Sequence, residues 1–165
     1  MQDENSPAVN KQAEEPPRSN PHRPPFRQAL RDTTASYISV ALGSVVGGVA
    51  RYLASVLFIS QLGDGFPWGT LFANVTGSFI IGFYSALTGP DGRLLASARQ
   101  RQFVMVGFCG GFTTFSVFSL ETLRLVQSGN LHGASVNLGV SVVGWLTAVW
   151  TGHALATRLN RLRGS

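Results

Sequence analysis

The chain has 165 residues, yet it contains a single cysteine, Cys109, and only 13% of its residues are charged. One thiol excludes an intramolecular disulfide and a cysteine-rich metal site. Its place inside an apolar run suits a small buried hydrophobe. No nucleophile paired with a base and no cluster of metal-ligating side chains stands out, which argues against an enzyme. Acid is scarcer than base, with 8 Asp and Glu against 13 Lys and Arg. A basic chain can bind nucleic acid, but such proteins carry their cations in patches on a soluble fold. Here the cations stand at the ends of apolar runs, so no nucleic-acid partner is expected.

Proline is confined in the same way: six of the 8 prolines lie before residue 33. That segment balances five basic against five acidic residues and has one phenylalanine, so it lacks the apolar surface that offsets the entropy of ordering. Residues 1–33 are therefore expected to form a disordered Pro-rich tail. A long mixed-charge stretch also separates the start from the first apolar run, which is not the pattern of a cleavable secretory signal.

What remains is hydrophobic, 44% of the chain, and it is bunched. Four runs, 37–58, 66–87, 103–126 and 133–156, are each 22 to 24 residues long. Roughly 20 residues cross the hydrocarbon as a helix, and in that layer helices satisfy every backbone group internally. The fold class is therefore all-α, a polytopic membrane protein with four transmembrane helices. The membrane domain is expected over 34–158, followed by a short basic tail, 159–165. The connecting segments are rich in turn formers and leave no room for a soluble catalytic domain.

Small residues repeat at four-residue spacing in each run: Gly43 and Gly47, Ser78 and Gly82, Gly107 and Gly111, and Gly144, Ala148 and Gly152. Such spacing lets helices approach closely. The arginines report orientation. Five basic residues precede the first run, three lie between the second and third, and three follow the fourth, while Arg124 is the one cation near the opposite side. The excess of positive charge on one side predicts that both termini are cytoplasmic.

Polar residues inside the runs are costly and so are candidates for function. Thr70, Asn74, Gly77 and Ser78 fall on one helical face, as interhelical hydrogen-bonding groups or as the lining of a pore. Glycines 110 and 111 with threonines 113 and 114 lower helix propensity at mid-membrane, so the third helix is expected to break there. A break frees carbonyl oxygens that a cation can satisfy, and the new helix near Thr114 turns its positive end toward the membrane centre, where an anion is favoured. Phe115 and Phe118, one turn apart, are either core packing or positive ring edges facing that anion. Glu121 and Arg124 form either a local ion pair or part of a channel. Arg51 suits an internal helix end or an anion-attracting vestibule, and His153 a core or an interface.

The segments "GGVARY", "GTLFANVTGSF" and "GFCGGFTTFSVFSLE" together resemble the Fluc/CrcB fluoride channel family, over about residues 37–156. The resemblance implies a passive fluoride exporter of the bacterial inner membrane that relieves fluoride toxicity, built as an antiparallel dimer with two pores. It implies that Asn74, Thr114, Phe115, Ser116, Phe118 and Glu121 line the fluoride path, with Thr70 nearby. It implies Arg51 at a vestibule, and a structural sodium ion, Na+, at the dimer centre on the carbonyls of Gly110 and Thr113. Val117 departs from the family, where a hydroxyl is common. The one-sided arginines also sit badly with a chain that inserts both ways, so the partner is either a second copy or an oppositely oriented paralogue. A small multidrug exporter needs a carboxylate in its first span, where this chain has Arg51, and a noncatalytic membrane subunit explains the packing glycines but not the Asn74 stripe.

Overall fold

The computed structural model describes residues 26–90 and 92–162, and these are helical except at turns and one internal break. Helix α1 runs Phe26–Leu62, α2 Trp68–Leu87, α3 Ala98–Arg101, followed by a π-helical segment Gln102–Phe108, α4 Cys109–Phe112, α5 Phe115–Gln127 and α6 Leu131–Arg161. The elements from α3 to α5 form one span, Ala98–Gln127, so among the described residues four segments are long and apolar enough to cross a bilayer. This is the polytopic all-α architecture expected.

Two boundaries differ. Residues 26–33, assigned above to a disordered tail, are the first two turns of α1. Past Pro25 the run Phe26 to Arg31 has no proline and several good helix formers, and extending an existing helix adds a hydrogen bond for every residue fixed. Residues 1–25 lie outside the described residues. At the other end α6 continues to Arg161 rather than stopping near Ala156.

Local chemistry sets the turns. Gly63 and Gly129 take φ of 77° and 78°, closing α1 and α5 with the left-handed residue that glycine adopts without a Cβ penalty. Asn130 Oδ1 then accepts from the Gly133 N–H at 2.8 Å and starts α6. Ser97 and Gln100 form a reciprocal capping box on α3. Arg99 pairs with Asp32 at 3.2 Å, but both side chains are more than half exposed, so the pair adds little stability.

Packing is built on the small residues. A Cβ on Gly43 or Gly47 would collide with the backbone of Phe103 or Phe108, and one on Gly107 or Gly111 with the backbone of Val40 or Ser44. Likewise Gly82 abuts the Val149 carbonyl and Gly152 the Phe79 carbonyl. Two backbone-close seams result, α1 against the third span and α2 against α6. Because lipid is as apolar as the helix surfaces, such close contact rather than the hydrophobic effect holds these helices together. Large apolar side chains are consequently scarce among the buried residues, Phe112 and Phe118 apart, and Val45, Leu53, Val143 and Leu146 face outward.

Candidate functional site

The third span breaks where its glycines and threonines stand. Thr113 (φ −84°, ψ 156°) and Thr114 (φ −153°, ψ 127°) are extended. Thr114 Oγ1 accepts from the Val117 N–H at 3.2 Å and restarts the helix as α5. Asn74, buried on α2, clamps the gap with both ends of its amide. Its Oδ1 accepts from the Thr114 N–H at 2.7 Å and its Nδ2 donates to the Thr114 carbonyl at 2.9 Å. A primary amide is the side chain able to satisfy a backbone donor and acceptor of one residue at once.

The clamp redirects the carbonyls upstream. In an unbroken helix the Thr114 N–H would close on Gly110, but it is held by Asn74. The Cys109 carbonyl accepts both the N–H and the hydroxyl of Thr113, at 2.9 and 2.8 Å. The Gly111 carbonyl accepts from Arg51 Nε at 3.2 Å. Arg51 thus neutralises an internal helix end, and it is absent from the residues lining the cavity at the α1–α2 turn. Arg51 sits mid-way along α1, opposite α4, where the freed carbonyl is its hydrogen-bond partner. Gly110 is exposed with open space over its Cα, and with the Thr113 backbone it borders a cleft. Backbone oxygens without helical partners on an accessible face are the type of group that ligates a hard cation. Among the described residues no group of three His, Cys, Asp or Glu could hold a metal instead.

That cleft, of about 330 Å³, is lined by Asn74, Ser78, Met105, Gly110, Thr114, Phe115 and Trp145 among others. It opens on the outer face of the helix bundle. Phe115 is 71% exposed, whereas Phe118 is 4% exposed. The two expected anion-facing rings therefore differ in setting, although their centroids are 5.8 Å apart. Phe118 meets Trp145 edge to face at 4.9 Å and 75°. Ser116 lies 3.3 Å, oxygen to oxygen, from the Thr114 hydroxyl at the start of α5.

Farther along α5, Thr70 donates its hydroxyl to Glu121 Oε1 at 3.0 Å, while Oε2 is buried without a partner. Among the described residues Arg124 makes no ion pair with Glu121 within 4 Å, and the carboxylate is held across helices by Thr70. Both line a cavity of about 550 Å³ at the α1–α2 turn with Asp64, Trp68 and Asn130. The structure thus brings Asn74, Gly110, Thr113, Thr114 and Phe115 to one cleft and Thr70 and Glu121 to a second cavity on the same helices.

Two buried polar residues of α6, Asn137 and Ser141, were passed over in the sequence. Asn137 and Ser141, each 1% exposed, face α5, where Asn137 Nδ2 donates to Thr122 Oγ1 at 2.8 Å. Ser141 Oγ donates to Asn137 Oδ1 at 3.4 Å. The signal was present, since Asn137, Ser141 and Trp145 repeat at four-residue spacing in an apolar run just as Thr70, Asn74 and Ser78 do.

A four-span membrane protein with a clamped, re-capped helix break and polar groups converging on it has the build of a small ion channel or transporter. Residues 38–153 match the family described as CrcB-like protein, Camphor Resistance (CrcB). The chain is 64% identical over 136 residues to "Fluoride-specific ion channel FluC 1" of Rhodopseudomonas palustris (strain BisB18), covering 82% of this chain and 96% of that protein. It is 57% identical over 129 residues to the protein of that name from Bradyrhizobium diazoefficiens, covering 78% and 89%. To "Fluoride-specific ion channel FluC" of Opitutus terrae it is 52% identical over 129 residues, covering 78% and 98%. The chain belongs to the CrcB family.

Proposed function

We propose that this chain is a subunit of a fluoride-selective channel that lets fluoride leave the cytoplasm passively across the bacterial inner membrane. The observation that carries this reading is the Asn74 clamp on the Thr113–Thr114 break, with Phe115 on the same cleft, in a chain so close to proteins named fluoride-specific channels. Fluoride is small and strongly hydrated, so a selective path replaces its water with amide, hydroxyl and positive ring-edge donors. The Thr114 and Ser116 hydroxyls and the rings of Phe115 and Phe118 supply such groups in sequence.

The open cleft supports a dimer. A backbone carbonyl without a helical partner, as at Gly110, is poorly suited to lipid at mid-membrane, and a second subunit, antiparallel to the first, would enclose two such paths. Sodium fits at the centre of that dimer, on the Gly110 and Thr113 carbonyls, where it would supply a fixed positive charge. The chain's own residues form the frame: Asn74 holds the break open and Arg51 removes the competing Gly111 carbonyl. The arginine distribution supports cytoplasmic termini. Because that bias is one-sided, the partner is an oppositely oriented paralogue rather than a second copy. Tags accessible from both membrane faces in cells expressing this chain alone would overturn that partnering.

The direct test is electrode-recorded efflux from liposomes holding the purified chain, alone and with its paralogue. Fluoride efflux without chloride efflux, lost in Phe115→Ile, is the expected result; equal passage of both ions, or none in either preparation, rejects the reading. Val117 removes a hydroxyl from the first turn of α5. Val117→Thr is accordingly expected to speed fluoride efflux several-fold, by roughly the worth of one hydrogen bond, with chloride still excluded. An unchanged rate would show that this position does not touch the ion.

A further inference from the structure

At the end of the bundle where α1 begins and α6 ends, a cavity of about 640 Å³ opens between α2, α6 and the start of the third span. Arg101, His153 and Arg161 line it, with Ser85, Thr157 and Asn160 adding hydroxyl and amide groups. On α6, His153, Thr157 and Arg161 are spaced i, i+4 and i+8, so one helix face delivers them together. His153, expected in a core or an interface, is exposed here. No carboxylate lines the cavity among the described residues, Asp91 lying outside them.

The walls are built rather than loose. Arg101 Nη1 donates to the Thr88 carbonyl at 3.0 Å, and Asn160 Nδ2 to the Ala86 carbonyl at 2.9 Å. Asn160 Oδ1 accepts from the Arg93 N–H at 3.1 Å. These bonds tie the ends of α2 and α6 and the connecting loop into one frame. Arg161 and the His153 ring, by contrast, make no ion pair or side-chain hydrogen bond with any described residue.

Position and length select the ligand. The cavity straddles the point where the apolar part of α6 gives way to its cationic last turn, which is where hydrocarbon meets headgroup. From His153 to Arg161 is about 12 Å at 1.5 Å per residue. An inorganic phosphate fills a small part of such a slot, whereas a phospholipid head and its glycerol span it. Basic pockets between transmembrane helices on the cytoplasmic side attract anionic headgroups.

We propose that this cavity binds the headgroup of an anionic phospholipid of the phosphatidylglycerol type, its phosphate between Arg161 and Arg101 and its glycerol toward Thr157 and His153. The site does not depend on what the channel conducts. The test is native mass spectrometry of the full chain extracted from vesicles of mixed phosphatidylcholine and phosphatidylglycerol. Phosphatidylglycerol is expected to be retained selectively, and Arg161→Gln to lower its retention about fivefold, the factor carried by one cation near an anionic surface. Arg158→Gln, which removes an exposed charge from the same last turn but outside the cavity, is the control and is expected to retain the lipid. Equal loss in the two variants would reduce the effect to general surface charge. Displacement by inorganic phosphate at matched concentration would make it a small-anion site, and equal retention of phosphatidylcholine a nonspecific one; each overturns the proposal. Unchanged elution of Arg161→Gln on size exclusion shows that the variant is folded.

Discussion

Asn74→Ala is expected to lose fluoride efflux by ~100-fold while the protein still inserts in the membrane. The substitution removes both hydrogen bonds that hold Thr114, at 2.7 and 2.9 Å. A buried backbone donor left unpaired costs about 1–3 kcal/mol, and the Thr114 N–H has no helical partner at the break, whereas its carbonyl, at the N-cap of α5, keeps an intrahelical bond. The least costly escape is for the Thr114 N–H to return to the Gly110 carbonyl and heal the helix. Healing would turn Thr114 and Phe115 out of register and withdraw Gly110 from the cleft. A loss of roughly 3 kcal/mol of the open geometry is about a hundredfold in population. Asn74→Asp is expected to fail as well, because a carboxylate accepts from Thr114 but has no proton for its carbonyl. Efflux from liposomes at matched protein content checks both, and an Asn74→Ala protein conducting within twofold of wild type would reject the clamp.

Gly47→Val should leave no folded protein, whereas Gly48→Ala, one residue along, should be close to neutral. A Cβ at Gly47 meets the Phe108 carbonyl and the Phe112 amide, and these are backbone atoms that cannot rotate away. Overpacking of side chains typically costs 1–3 kcal/mol, and separating two whole helices costs more, because the close seam is itself the attraction. At Gly48 nothing lies within 4 Å, so alanine gains helix propensity without a clash. Expression, monodispersity in detergent and thermal unfolding of the two variants separate the outcomes. Two equally stable proteins would mean that α1 does not pack through this face.

Much of this architecture was legible in the residues. Run length and charge placement gave four spans because the bilayer imposes a fixed thickness and a high cost on unpaired backbone. Gly110, Gly111, Thr113 and Thr114 announced a break through propensity alone, and the four-residue glycine spacing announced the seams. The start of α1 was misplaced, because propagation from an existing span outweighs the composition of a tail. The partner of Arg51 is a different matter: it is the Gly111 carbonyl, sixty positions away, and no local pattern encodes that distance.

Asn74 shows where the division lies. Its type and its stripe with Thr70 and Ser78 marked it as polar and inward-facing, since an amide in hydrocarbon must find partners. That its two partners are the donor and acceptor of Thr114, on another span, followed from how α2 packs against the broken helix. The same holds for Phe115 and Phe118, alike in sequence but 71% and 4% exposed. Periodicity and composition act within one helix and so determined the spans, the break and the packing faces. Long-range hydrogen bonds and exposure depend on which helices meet and at what rotation, and only the tertiary structure, through the glycine seams, decided those.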